Sequence, residues 1–263
     1  MTQPRPDLEP TPGLSREEME GMQRDIADAA VFEDDFEFDP AVLSSPLESA
    51  ASGADPPTVV GVDQSFLTND AGEQDRALSA VVAMRGGEVV ERAHAITSLE
   101  IPYVPGLLAF REGRPILAAL EELSVEPDLL LFDGSGRIHF REAGIATHVG
   151  VVRDVPSIGV AKSLLCGTST EDTENLPEGS RVPIEADSRV EVSDGTLLGY
   201  AVQTRQYDSP NRHINPLYVS PGHRVGPETA ADVVLALAAG YKLPEPVRLA
   251  DAYATEAKPA RED

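Results

Sequence analysis

Asp63, Glu112, Asp133 and Lys162 are the residues of this chain whose types and placement could carry chemistry. Asp63 closes the apolar segment Thr58-Val59-Val60-Gly61-Val62, and Asp133 closes the run Leu129-Leu130-Leu131-Phe132. Lys162 follows a third short apolar stretch, Ser157 to Val160, and Glu112 lies near the start of a helical pattern carried by Ile116, Leu117, Leu120 and Leu123. Acids that emerge at the ends of strands in an open α/β sheet lie in the crevice where such sheets bind ligands. Mg2+ asks for octahedral oxygen coordination and commonly takes one or two carboxylates, several waters and a phosphate. A cation held by these acids could polarise a phosphoryl oxygen and generate hydroxide from water. The chain holds 45 acidic residues, so spacing alone leaves a plainer reading open, in which the three acids belong to a solvated surface.

The elements that must position these side chains can be read from apolar periodicity. Leu129–Phe132, bounded by Pro127 and by Gly134 and Gly136, has the length and composition of a buried strand. Thr58–Phe66, Ala77–Met84 and Val89–Thr97 read as a three-strand meander, with Gly86-Gly87 turning the hairpin between the last two. Ser157–Val160, Leu197–Gln206 and Leu217–Ser220 read as further strands. Ser15 and Glu18 have capping-box spacing and open a helix to about Ala30, with Met19, Met22 and Ile26 on one face. Pro227 opens a last helix through Ala239, stopped by Gly240. A meander followed by alternating helices and strands predicts an α/β fold, a mixed β-sheet flanked by helices. Residues 1–13, rich in proline and threonine, read as a disordered tail, 14–257 as a single domain and 258–263 as a frayed end. Within the domain, 32–57 reads as an acidic, loosely docked arm and 168–187 as a surface insertion.

Composition bounds the setting. One cysteine, Cys166, excludes an internal disulfide and a multi-cysteine zinc site. No signal peptide, lipidation motif or long apolar run is present, so the expectation is a cytoplasmic protein, monomeric and without a membrane. The net charge is −24, and the acidity is spread along the chain: residues 1–57 hold 14 acids against three arginines. Lysine occurs only at 162, 242 and 258, every other basic residue being arginine. Such a balance points to a halophile's cytoplasm, where molar salt screens repulsion within roughly 3 Å. Arg111, Arg114, Arg137, Arg141, Arg153, Arg205, Arg212 and Arg224 cluster in sequence and are expected to form a local basic stripe on this acidic background.

The order of the motifs narrows the choice. Gly61-Val62-Asp63 is followed by Pro102-Tyr103-Val104-Pro105-Gly106 and Phe110-Arg111-Glu112, then by Pro127-Asp128-Leu129-Leu130, Asp133-Gly134-Ser135-Gly136 and His139. Gly159-Val160-Ala161-Lys162-Ser163, Leu165-Cys166-Gly167, Gly222-His223-Arg224-Val225, Tyr241-Lys242-Leu243-Pro244-Glu245-Pro246 and Ala250-Asp251 complete the series. Together they closely resemble the endonuclease V family over roughly residues 15–256, and the ordered set is highly specific.

The resemblance implies an RNase H-like mixed sheet and a Mg2+-dependent endonuclease (Mn2+ able to substitute) acting in DNA repair. Its cut falls at the second phosphodiester bond 3′ to deoxyinosine and leaves a 5′-phosphate. Asp63, Glu112 and Asp133 match the family's carboxylates, with Asp63 and Asp133 as direct metal ligands, and Lys162 matches a fixed charge beside the scissile phosphate. His139 and His223 match histidines close to the site, and Arg111, Arg141 and Arg224 are expected on the DNA path. Tyr103 matches the wedge that fills the gap left by a displaced base, where flanking prolines stiffen the turn. Gly106, Leu108, Gly134 and Gly144 would shape the base pocket, and Glu228 matches a further acid. The chain departs from the family in Gly134-Ser135-Gly136 and in Phe140-Arg141-Glu142 after His139, where an acid replaces a basic residue. Two other readings stand beside this one: a ribonuclease for inosine-containing or single-stranded RNA on the same fold, and a lesion-binding protein without turnover.

Overall fold

The computed structural model describes residues 3–43, 56–69, 72–209 and 211–258. The meander forms as β1 (Thr58–Thr68), β2 (Gln74–Arg85) and β3 (Glu88–Ser98). Gly86 and Gly87 turn it with φ of +57° and +81°, values that a tight hairpin needs and glycine supplies without strain. The chain crosses through α2 (Leu108–Glu121) to β4 (Leu129–Phe132), then through α3 (Ile145–Arg153) to β5 (Ser157–Ala161). β4 runs parallel to both β1 and β5. β6 (Thr168–Ser169), β7 (Arg181–Glu185), β8 (Leu197–Val202) and β9 (Leu217–His223) complete a mixed nine-stranded sheet of order β3-β2-β1-β4-β5-β9-β8-β7-β6.

Alternation along the central strands builds two cores. Val60, Val62, Leu130 and Phe132 face a layer made by α1 (Arg16–Ala29), α2 and α3, meeting Ile26, Ile116 and Val149. Val59, Leu129, Leu131, Ile158 and Val160 face the other layer, α4 (Pro227–Ala236) and α5 (Glu245–Glu256), meeting Val233, Val234 and Val247. β4 is buried on both faces, which explains its unbroken apolar run. A one-residue slip would turn each of these strands inside out, so register is strongly specified. The α1 capping box is present in full, Glu18 N–H donating to Ser15 Oγ and Ser15 N–H to Glu18 Oε2.

Several segments differ from the sequence expectation. Residues 3–13 are mostly exposed but anchored: Leu8 is buried in the first core, its carbonyl bonded at 2.8 Å to the buried His148 Nε2, and Arg5 N–H donates to the Val152 carbonyl. One apolar residue and one buried donor suffice to hold a proline-rich stretch that composition marks as disordered. The arm is docked through Leu43, as far as it is described: Phe36 and Phe38 stack at 4.5 Å against the second core, and Asp34 accepts from Gly226 N–H and Thr229 Oγ1 at the start of α4. The remainder of the arm up to residue 55 and the last residues from 259 lie outside the described residues. The 168–187 segment carries β6 and β7, with Val182 and Ile184 alternating inward, so it extends the sheet. α2 begins at Leu108, four residues before Glu112, and carries Pro115 inside the helix. α5 is a helix that the apolar pattern does not announce, since only Val247 and small alanines mark its buried face.

Close packing places α5. A Cβ at Gly61 of β1 would overlap the Pro246 carbonyl at the start of that helix. Gly61→Ala should therefore lift α5 from the sheet and cost about 3 kcal/mol, the upper range for overpacking a tight contact. Urea unfolding checks this, with Gly21→Ala, on open space, as the tolerated control.

Candidate active site

Strand register assembles the site. β1 and β4 pair Val62 with Phe132, so the next residues, Asp63 and Asp133, stand side by side at one end of two parallel strands. Lys162 follows the end of β5, the neighbour of β4, and its Nζ pairs with Asp133 Oδ2 at 2.5 Å. Glu112 comes from α2, whose backbone is tied to β1 by Gln64 Nε2 donating to the Glu112 carbonyl at 3.1 Å. Asp63, Glu112 and Asp133 line a cavity of about 200 Å³ closed by Phe66, Ile116, Phe132 and Ile145. The three sequence-selected acids and the lysine are thus brought together.

Electrostatics shows what the arrangement imposes. Burial, reinforced by Asp133, pushes the Asp63 carboxyl up to about 7. Burial likewise raises Glu112 to about 7, with Asp63 and Asp133 adding to it against Arg111. Burial works against the Lys162 charge, but Asp133, Asp63 and Asp251 together more than offset it and raise the group. Asp251 on α5 belongs to this field, since it acts on both Asp63 and Lys162. The sequence reading quoted Asp251 only as part of a motif; its partnership depends on α5, a helix not foreseen. Glu228, the expected further acid, is instead bonded to Tyr200 on β8. Among the described residues, no three acidic, histidine or cysteine side chains enclose an ion by themselves. Crowded carboxylates held in a partly water-free recess do, however, supply the hard oxygen donors that a divalent cation takes two at a time.

The wedge candidate stands apart from this recess. Tyr103 is 66% exposed on the loop before α2. Its loop is anchored from below: the Gly106 carbonyl accepts from Gln23 Nε2 at 2.9 Å and is hydrogen-bonded by His139. His139 is buried, its Nδ1 accepting from Arg141 N–H, and burial lowers it to about 4. It is therefore a neutral group orienting the loop, with no open face toward a phosphate. Leu108 is half-buried at the first turn of α2. Gly134 and Gly144 shape the loop after β4 by close packing, on Ile145 and on the Ser135 and Gly136 carbonyls respectively.

The remaining expected nucleic-acid contacts are placed differently. β9 runs antiparallel to β5, pairing His223 with Ser157, so His223 lies at the end of β5 away from Lys162. It is buried, with Nε2 3.1 Å from Asp154 Oδ1 and Nδ1 accepting from Val31 N–H. Arg224 binds Asp35 and Asp154 at the same end. Arg141 is held by Glu20, Glu191 and Gln23, and Arg137 by Glu142. Four of the eight arginines expected in the basic stripe, Arg114, Arg137, Arg141 and Arg224, are thus paired with carboxylates of the fold. Arg111 donates to the Ile101 carbonyl and supports the wedge loop from α2.

A mixed sheet with acids at the ends of adjoining parallel strands and a lysine just past the next strand is the arrangement expected of an RNase H-like hydrolase. Residues 43–252 match the endonuclease V family model. The chain is 57% identical to endonuclease V of Haloarcula marismortui, covering 97% of this chain and 96% of that protein. The catalytic domain of human endonuclease V superposes with a TM-score of 0.74 at 33% identity, covering 94% of this chain and 96% of the other. Endonuclease V of Ciona intestinalis, in complex with a 24mer DNA containing an inosine followed by a ribo-adenosine, shares the fold with a TM-score of 0.65 at 24% identity over 91% and 96% of the two chains. This chain belongs to the endonuclease V family and is a nuclease acting on phosphodiester bonds. None of its described helices is long and apolar enough to cross a membrane.

Asp63 and Glu112 titrate higher folded than unfolded. The stability this represents is full below the unfolded carboxylate range and is lost as pH rises through about 7. Asp63→Asn, which cannot ionise, should be more stable than the parent above neutrality in EDTA, by ~2 kcal/mol, the gap closing toward about pH 4. Thermal melts across that range measure it, and a gap independent of pH would contradict the assignment.

Proposed function

We propose that the protein nicks DNA at the second phosphodiester bond 3′ to a deoxyinosine, with Mg2+ held by Asp63 and Asp133. The observation that carries this reading is the side-by-side placement of those two acids, one of them paired with Lys162, at the ends of β1 and β4. The fit to a divalent ion rests on the donor set: Asp63 and Glu112 are raised to about 7 by burial and by neighbouring carboxylates, Asp133 acting on both. When bound, Mg2+ would supply charge to polarise the phosphoryl oxygen and to activate water. Lys162 holds a fixed positive charge beside Asp133, where the phosphate oxygens would gather developing charge. Glu112, near 7, can hold or accept a proton at its carboxylate at working pH. Tyr103, on its braced loop, offers an exposed ring to replace the stacking of an extruded base, a loss of a few kcal/mol. Inosine-containing DNA is favoured as substrate because the Ciona relative is seen with such DNA.

Asp133→Ala should abolish nicking of an inosine duplex in Mg2+ while leaving binding to it largely intact, because the wedge loop does not depend on that side chain. Gel analysis with matched DNA and RNA oligonucleotides tests it. Undiminished cleavage by the variant would remove the metal-site reading, and preferential cutting of RNA would transfer the same chemistry to a ribonuclease.

Salt separates this protein from ordinary DNA binders. Affinity carried by phosphate contacts falls with a log–log slope near −0.9 per contact. With most arginines internally paired, recognition rests on short-range parts. Inosine-specific nicking should persist or peak above about 1 M KCl, where the Debye length is about 3 Å. Initial rates in a KCl series at fixed Mg2+, with folding followed by circular dichroism, check it. Activity lost by about 1 M while the fold survives would refute it.

A further inference from the structure

We infer that Lys242 is a second phosphate contact of this site, gripping the phosphodiester just to the 3′ side of the bond that is cut. The direction along the strand rests on the cleavage reading above; the place of Lys242 rests on the fold alone.

Lysine is scarce here, three residues among 21 basic ones, so its positions are informative. Lys242 lies between α4 and α5, and its carbonyl accepts from Thr204 Oγ1 at 2.5 Å. Thr204 follows β8, whose last residue Val202 pairs with Leu217, and Tyr218 pairs with Ala161, directly before Lys162. Topology therefore brings Lys242 to the same sheet edge as Lys162 and Asp133. The two ammonium groups act on each other: burial, then Lys162, pull Lys242 down from its usual value.

Of the described cations, Lys242 lacks an internal partner, as Arg153 and Lys258 also do, but it lies close enough to Lys162 for the two charges to interact. Among the described residues its ammonium makes no hydrogen bond or ion pair. Lys162 has Asp133, and Arg141, Arg224 and Arg248 each have carboxylates. A half-buried cation left beside a second cation, in a chain of net charge −24, is unfavourable unless an anion arrives. The anion this edge is built to receive is a nucleic-acid backbone.

The faces of the sheet give the polarity. Asp63 shares its face of β1 with Val59, on the side of α5, whose Asp251 acts on both Asp63 and Lys162. The Tyr103 loop belongs to the opposite layer, packed through Ile101, Leu107 and Phe110 against Met19 of α1. A strand whose altered base is held at Tyr103 thus crosses the strand ends at the acids and then meets Lys242. With the cut 3′ to the lesion, the phosphate beyond the cut is the one at Lys242.

The test is a binding cycle on inosine duplexes in EDTA, read by fluorescence anisotropy. It uses Lys242→Ala, Lys242→Arg and duplexes carrying one neutral methylphosphonate at each phosphate around the nick. Lys242→Ala should bind the unmodified duplex about tenfold more weakly. Its log–log salt slope should be shallower by about 0.9. Neutralising the phosphate 3′ to the nick should weaken the parent and cost Lys242→Ala nothing further, while Lys242→Arg stays close to the parent. Additive losses at every phosphate, an unchanged salt slope, or coupling to a phosphate 5′ of the nick would each overturn the inference. The nick is mapped separately on the unmodified duplex with Mg2+. A different cut, or none, refutes the cleavage reading, while coupling between Lys242 and one backbone phosphate still decides the contact.

Discussion

Two carboxylates forced to the same height on neighbouring strands is the constraint from which the rest of this structure follows. Adjacent strands lie about 4.8 Å apart. Two charges at about 5 Å repel by about 3 kcal/mol at an effective dielectric of 20. The register that pairs Val62 with Phe132 makes that repulsion unavoidable for Asp63 and Asp133. It is set by the alternation of buried residues in both cores, so the acids cannot move apart without unpacking the sheet. Lys162 beside Asp133 relieves part of it, and burial together with the remaining repulsion keeps Asp63 and Glu112 raised. The site is held in a state that welcomes positive charge, and the apolar framework beneath supplies the stability that allows it.

An acidic protein that handles a polyanion must separate its bulk charge from its contact surface. The chain does so by pairing arginines within the fold and leaving lysines at the working edge. Arg141, Arg137 and Arg224 spend their guanidinium groups on Glu20, Glu191, Glu142, Asp35 and Asp154, joining α1, the loop after β4, the arm and the end of β9. They are three of the eight arginines that the sequence suggests as a basic stripe. Lys162 lies instead beside the carboxylates, and Lys242 is close enough for its charge to act with that of Lys162. Short-range contacts of this kind survive molar salt better than a diffuse positive surface, because screening acts on distance.

Buried histidines brace the wedge and the termini. His139 and Gln23 hold the Gly106 carbonyl, His148 holds Leu8, and His223 links Asp154 to the arm. Burial is the largest influence lowering each of them. Each converts a chain segment with little apolar content into an ordered part of the core. This is why residues 3–13 and 32–43 are docked although their composition is that of tails and linkers.

The sequence by itself determined the central strands, the meander and its glycine turn, the capped first helix, and the identity of Asp63, Glu112, Asp133 and Lys162 as a group. Period-two burial and strand-end position are local signals, and the ordered motifs carried the family. Tertiary structure alone decided which charges meet. The antiparallel course of β9 sent His223 and Arg224 to the far end of β5, and internal carboxylates claimed Arg141. α5, with an alanine-lined face too weak to announce a helix, brought Asp251 toward Asp63 and Lys162. Ion pairing and helix docking join residues far apart in the chain, and their partners are selected by three-dimensional distance, which no local pattern encodes.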